Sequence, residues 1–166
     1  PDFPDLPMEE VYPREEPKGS AVVAREHAGG GRTVYIPWNI GGIFWEVLAA
    51  DHGRLIANAV KWALGKTPDV TVTGQSVVDL AVRADDRGIA VVLNNLTNPM
   101  MMKGPIREVF PVGRHEVSVV VPKGKRLGSA SLLVSGMTPV VTESDGRVIV
   151  EVPEVETLEV VHLTWA

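Results

Sequence analysis

Glu46, Asp51 and His52 come nearest in this sequence to an acid–base cluster. A carboxylate and an imidazole on one helix face could move a proton or hold a metal. The same three residues have a plainer use, and it is favoured. Asp51 stands where an N-cap accepts the free amide hydrogens of a first helical turn. His52 falls in that turn, and Glu46 suits solvent. His27, His115 and His162 are scattered over other segments without His-x-x-x-His spacing, so no metal ligand set is assigned. Gly74-Gln75-Ser76 and Val134-Ser135-Gly136 match a Gly-x-Ser-x-Gly nucleophile elbow only in part. The absence of cysteine excludes disulfides, thiolate catalysis and cysteine-bound metals. Asp85, Asp86, Glu143 and Asp145 fall in turns and at strand edges. Glycoside hydrolysis would need two carboxylates flanking one cleft. No catalytic residue is assigned, and no cofactor is expected.

Two aromatic residues and one loop are the remaining candidates. Trp38, at a strand end, and Trp45 could stack on sugar rings, although aromatics at helical spacing such as Trp62 usually belong to a core. Asn98-Pro99-Met100-Met101-Met102-Lys103-Gly104-Pro105 puts three methionines where a loop should be polar. Methionine fills irregular apolar gaps. The loop either caps one end of its own domain or docks on another, with Met100, Met101 and Met102 as the apolar centre and Lys103 and Arg107 as a charged rim. Asn95-Leu96-Thr97 is formally a glycosylation sequon, read here as coincidental. Gly29-Gly30-Gly31 leads into a strand and lacks a following Lys-Ser/Thr, so it is a turn and no phosphate cradle.

The elements that must position these residues fall into two groups. Residues 1–19 hold five prolines and four glutamates, and read as an extended segment or linker. Strands 21–26 and 32–38 flank the glycine turn as a hairpin. Residues 42–64 read as helical, with a wide apolar stripe and Gly65 placed to end the helix. After Pro68 the pattern changes to strands: 77–83, 89–93, 115–121, 130–134, 147–152 and 157–163. Turn signals recur at Pro122-Lys123-Gly124, Ser135-Gly136 and Ser144-Asp145-Gly146. About seven such strands predict an antiparallel β-sandwich. The expected division is 1–67 and 68–166.

The totals narrow the partners. A 166-residue chain with 45% hydrophobic and 22% charged residues can form one domain or two small ones. The net charge of −5 and the lack of a basic stripe argue against nucleic acid. Lys123-Gly124-Lys125-Arg126 suits a solvated turn. No apolar run is long enough for a membrane span and no signal peptide is apparent, which favours a soluble, cytoplasmic protein. The start at Pro1-Asp2-Phe3, without Met, points to a processed chain or a fragment.

Five segments in order carry a resemblance: Tyr35-Ile36-Pro37-Trp38-Asn39-Ile40, Phe44-Trp45-Glu46, Asp51-His52-Gly53-Arg54-Leu55, Ala57-Asn58-Ala59-Val60-Lys61-Trp62-Ala63, and Leu96 through Pro105. Together they resemble the C-terminal part of large bacterial glycoside hydrolases. In that family a TIM-barrel catalytic domain precedes a flavodoxin-like domain similar to the β-galactosidase trimerisation domain, and a β-sandwich follows. The resemblance implies an α+β chain: a partial flavodoxin-like α/β segment, then the sandwich. It also implies a non-catalytic accessory and assembly role, with the catalytic carboxylates in a barrel outside this chain. Expected partners are that barrel and further copies of the chain. The competing reading is a carbohydrate-binding module using Trp38 or Trp45.

Overall fold

The computed structural model describes residues 19–97 and 108–166. The chain divides between Pro68 and Asp69 into two compact units.

The first unit begins with β1 (Val23–Glu26) and β2 (Arg32–Tyr35), paired antiparallel with Glu26 opposite Arg32. Two helices follow, α1 (Ile40–Val47) and α2 (Ala50–Leu64). Asn39 caps α1, its Oδ1 accepting the Gly42 amide at 3.1 Å. Gly65, with φ of 67°, ends α2 in the left-handed conformation that glycine tolerates best. Asp51 does not cap α2. That position belongs to Ala49, and Asp51 sits one residue inside the first turn, where its carboxylate takes a hydrogen bond from Arg54. An acid there still opposes the helix dipole. Arg32 ties hairpin to helix: it pairs with Glu26 at 2.9 Å, donates to the Trp62 carbonyl at 3.3 Å and lies over the Trp62 ring. Among the described residues of this unit only Ile40 is buried.

This geometry overturns the partial flavodoxin-like segment and with it the α+β assignment. A doubly wound domain needs parallel strands joined by crossover helices. Here the two strands form a hairpin, and both helices come after it instead of between strands. The described residues hold ten strands in three antiparallel sheets and two helices.

The second unit is a β-sandwich. Its strands are β3 (Val70–Thr73), β4 (Val78–Ala84), β5 (Gly88–Asn95), β6 (His115–Val120), β7 (Leu127–Leu132), β8 (Val141–Ser144), β9 (Arg147–Val152) and β10 (Leu158–Trp165). One sheet has the order β4-β5-β10-β7, the other β3-β6-β9-β8. Alternation along the strands fills the space between them. Val91, Leu93, Leu132, Val161 and Leu163 come from the first sheet, and Val117, Val119, Val148, Val150 and Val152 from the second. The Asp145-Gly146 turn joins β8 to β9 with positive φ at both residues, the geometry that matches strand twist in a two-residue hairpin. No helix among the described residues is long and apolar enough to cross a membrane.

Candidate functional site

Four connections of the sandwich start and finish at one pole: β3–β4, β5–β6, β7–β8 and β9–β10, each leading from one sheet to the other. Across the described residues, the buried polar side chains of the molecule are Asn95, His115 and Glu159, and all three stand at strand ends of this pole. Each holds one or more of the connections.

Glu159, 2% exposed, accepts the amide hydrogens of Val134 at 2.9 Å, Ser135 at 3.1 Å and Val160 at 2.8 Å. Burial pushes its carboxyl up, but the hydrogen bonds from Ser135, Val134 and Val160 outweigh that and leave its pKa below the usual value. It is therefore an ionised anchor for the β7–β8 turn. Asn95 uses both ends of its amide. Its Nδ2 donates to the carbonyls of Phe110 at 2.8 Å and Glu156 at 2.7 Å, and its Oδ1 accepts from the Thr97 amide at 3.0 Å. That joins the β5–β6 and β9–β10 connections. The folded chain leaves this amide buried and fully engaged.

His115, 1% exposed, has its Nε2 2.6 Å from the Ser76 hydroxyl. Its Nδ1 has no hydrogen-bond partner among the described residues. Burial lowers its pKa, so the ring is neutral at pH 7. A serine beside a neutral imidazole is the start of a nucleophilic dyad, but among the described residues no third group orients this ring. The pair's evident effect is to fix the β3–β4 connection against β6.

The loops so held present apolar side chains to solvent. Val77 lies in the first connection, Leu96, Val109 and Phe110 in the second, and Leu133, Val134, Met137 and Val140 in the third; Leu158 opens β10. Val140 is 61% exposed. Exposed charges surround them: Glu108, Glu154 and Glu156, with Arg114. The opposite pole is different in kind, carrying exposed Asp85, Asp86, Arg87, Lys123 and Lys125 in its turns. Isolated exposed apolar residues are ordinary, but this concentration among the described residues at one end is not.

The residues singled out from sequence sit elsewhere or lie outside the description. Met100, Met101, Met102, Lys103 and Arg107 fall outside the described residues. Trp38 and Trp45 both belong to the first unit. Trp38 is half-buried, its Nε1 donating to the Ala21 carbonyl at 3.1 Å and its ring meeting His52 edge-on at 5.5 Å. Trp45, on α1, is 61% exposed. Among the described residues no cluster of His, Cys, Asp or Glu could hold a metal. Sequence reasoning missed all three buried anchors, because a polar residue at a strand end looks the same whether it faces solvent or a neighbouring loop.

No protein-family model matches the chain, and no curated protein matches it. Among solved structures it is similar to alpha-L-fucosidase isoenzyme 2 from Paenibacillus thiaminolyticus, with 20% identity and a TM-score of 0.67, over 92% of this chain and 23% of that one. The chain thus corresponds to less than a quarter of that protein's length, and what the two share at this identity is a fold.

Proposed function

We propose that the chain is a non-catalytic accessory and assembly region of a glycoside hydrolase, and that its sandwich packs through the apolar pole onto the catalytic domain of the same polypeptide. The observation that carries this is the pole itself: apolar residues from three connections and a strand start, on loops fixed by Glu159, Asn95 and His115. Pre-fixed loops lose little freedom on binding, so more of the contact energy is realised. The acidic rim selects a partner whose matching patch has a basic border. The fucosidase likeness supports the choice of partner, since there a similar fold forms part of a much longer chain.

The test is to read the gene upstream of Pro1 for a barrel domain, to express the chain beside it, and to follow association by size-exclusion chromatography. Co-elution that disappears in Leu133→Asp and Val140→Asp supports the reading. Co-elution untouched by both substitutions, or an upstream region that encodes no barrel, overturns it. Self-association that the same substitutions abolish would make a second copy the occupant instead.

Trp45 favours a second reading, a carbohydrate-binding module, because a large aromatic is left 61% exposed on a helix. Oligosaccharide binding that vanishes in Trp45→Ala would establish it.

A further inference from the structure

The outer face of the β4-β5-β10-β7 sheet holds an open groove of about 510 Å³ near the charged pole, away from the apolar one. Its floor is β5, where Gly88 and Ala90 offer almost no side chain. Arg83 and His162 face each other across Ala90, and Thr164 stands opposite Gly88. The bare floor is enforced: a Cβ on Gly88 would lie 2.4 Å from the Leu163 carbonyl oxygen. The walls are two strand spacings apart, about 9–10 Å, which admits one sugar ring lying on Ala90.

The polar groups are arranged for an anion. Asp85 holds the Arg87 side chain, its Oδ2 accepting from Nε at 3.2 Å and from a terminal nitrogen at 3.0 Å. Its Oδ1 is taken by the Arg87 and Gly88 amides at 2.8 and 3.0 Å. The carboxylate is thereby committed to the turn, while Arg87 keeps donors to spare. Arg83 has no hydrogen-bond or ion-pair partner among the described residues. Two guanidiniums and an imidazole thus line a groove whose lining carboxylate is already engaged. A guanidinium binds a planar or tetrahedral oxyanion through paired hydrogen bonds, which a neutral hydroxyl cannot match.

We propose that this groove binds a saccharide unit bearing an oxyanion, either a carboxylate or a sulfate ester. The oxyanion part stands on the groove alone; the saccharide part rests on the glycoside-hydrolase reading above. Arg83 and Arg87 take the charged group, His162 hydrogen-bonds a ring hydroxyl, and the ring covers Ala90.

The experiment is calorimetric titration of the whole chain with digalacturonate, galactose 6-sulfate, neutral lactose and inorganic sulfate. Digalacturonate or galactose 6-sulfate binds saturably, more weakly as salt rises, and Arg83→Gln lowers the affinity about tenfold, the worth of one charge-assisted pair. His162→Gln weakens the sugar acid and leaves inorganic sulfate unchanged. Both substitutions sit on the outer face, so unchanged melting confirms that the variants are folded. Equal binding of lactose, indifference to Arg83→Gln, or no saturable binding overturns the proposal. Inorganic sulfate binding as tightly as the sugar acids overturns its saccharide part. Leu133→Asp, which breaks docking at the other pole, leaves this titration unchanged, so failure of one reading is distinguishable from failure of the other.

Discussion

The Nε2 of His115 and the hydroxyl of Ser76 lie 2.6 Å apart where the chain crosses from β3 in one sheet to β4 in the other. The ring is also tightly fitted against the backbone beside that contact: a Cβ on Gly74 would lie 2.4 Å from the imidazole Cδ2, so glycine is required there for the ring to fit.

This enclosed imidazole makes the sandwich acid-sensitive. Burial holds the folded-state pKa of His115 below its ordinary 6.5. Below that value the unfolded chain takes up a proton that the folded one refuses, so stability is full above pH 6.5 and falls as pH drops through it. Thermal melts between about pH 7.5 and about pH 5.5 should show this loss, and His115→Gln should flatten it. A wild-type melt with the same slope as His115→Gln would refute the assignment.

Glu159→Gln keeps the size of the side chain and removes the charge that three amide hydrogens share. An amide has a single acceptor oxygen and brings two donors into a buried place that already supplies donors. The expected cost is about 2–4 kcal/mol of unfolding free energy in urea, concentrated in faster hydrogen exchange at Val134 and Ser135. A variant as stable as wild type would show that the turn stands without its anchor.

Asn95→Asp replaces a donor with a carboxylate aimed at the carbonyls of Phe110 and Glu156. Ionised, that group is repelled; protonated, it can donate. The introduced acid therefore has a raised folded-state pKa, and the variant should be destabilised at neutral pH by about 2–3 kcal/mol, recovering part of the loss on acidification. Denaturant titrations at two pH values check the sign, and a variant that weakens further in acid contradicts it.

How much of this was legible in the sequence depended on how much of each pattern was local. Alternating Val148, Val150 and Val152 announced β9, and all three are buried. Ser144-Asp145-Gly146 announced its hairpin. β3 and β8 went unseen because each is a partly exposed edge strand of four residues, too short for the alternation of Val70-Thr71-Val72-Thr73 to stand out. The flavodoxin-like assignment failed because it rested on the resemblance and ran against the local pattern: two β-rich runs across Gly29-Gly30-Gly31 already read as a hairpin, and β1 pairs with β2 in that way. The anchors were hidden for a related reason. Glu159 meets Val134 and Ser135 across 24 or 25 residues, and Asn95 meets Glu156 across 61.

The placement of β10 has a consequence in time. It pairs with β5 on one side and β7 on the other, so it completes the middle of its sheet, yet it is made after every other strand described here. A ribosome releasing this sandwich has nothing to insert between β5 and β7 until residues 158–165 emerge. Until then the inner faces of Val91, Leu93 and Leu132 wait uncovered beside an open sheet edge, the condition under which nascent chains stick to one another. Joining such distant partners also slows folding once synthesis ends. Yield during expression should thus depend on chaperone supply and temperature more steeply than the finished sandwich's stability would suggest.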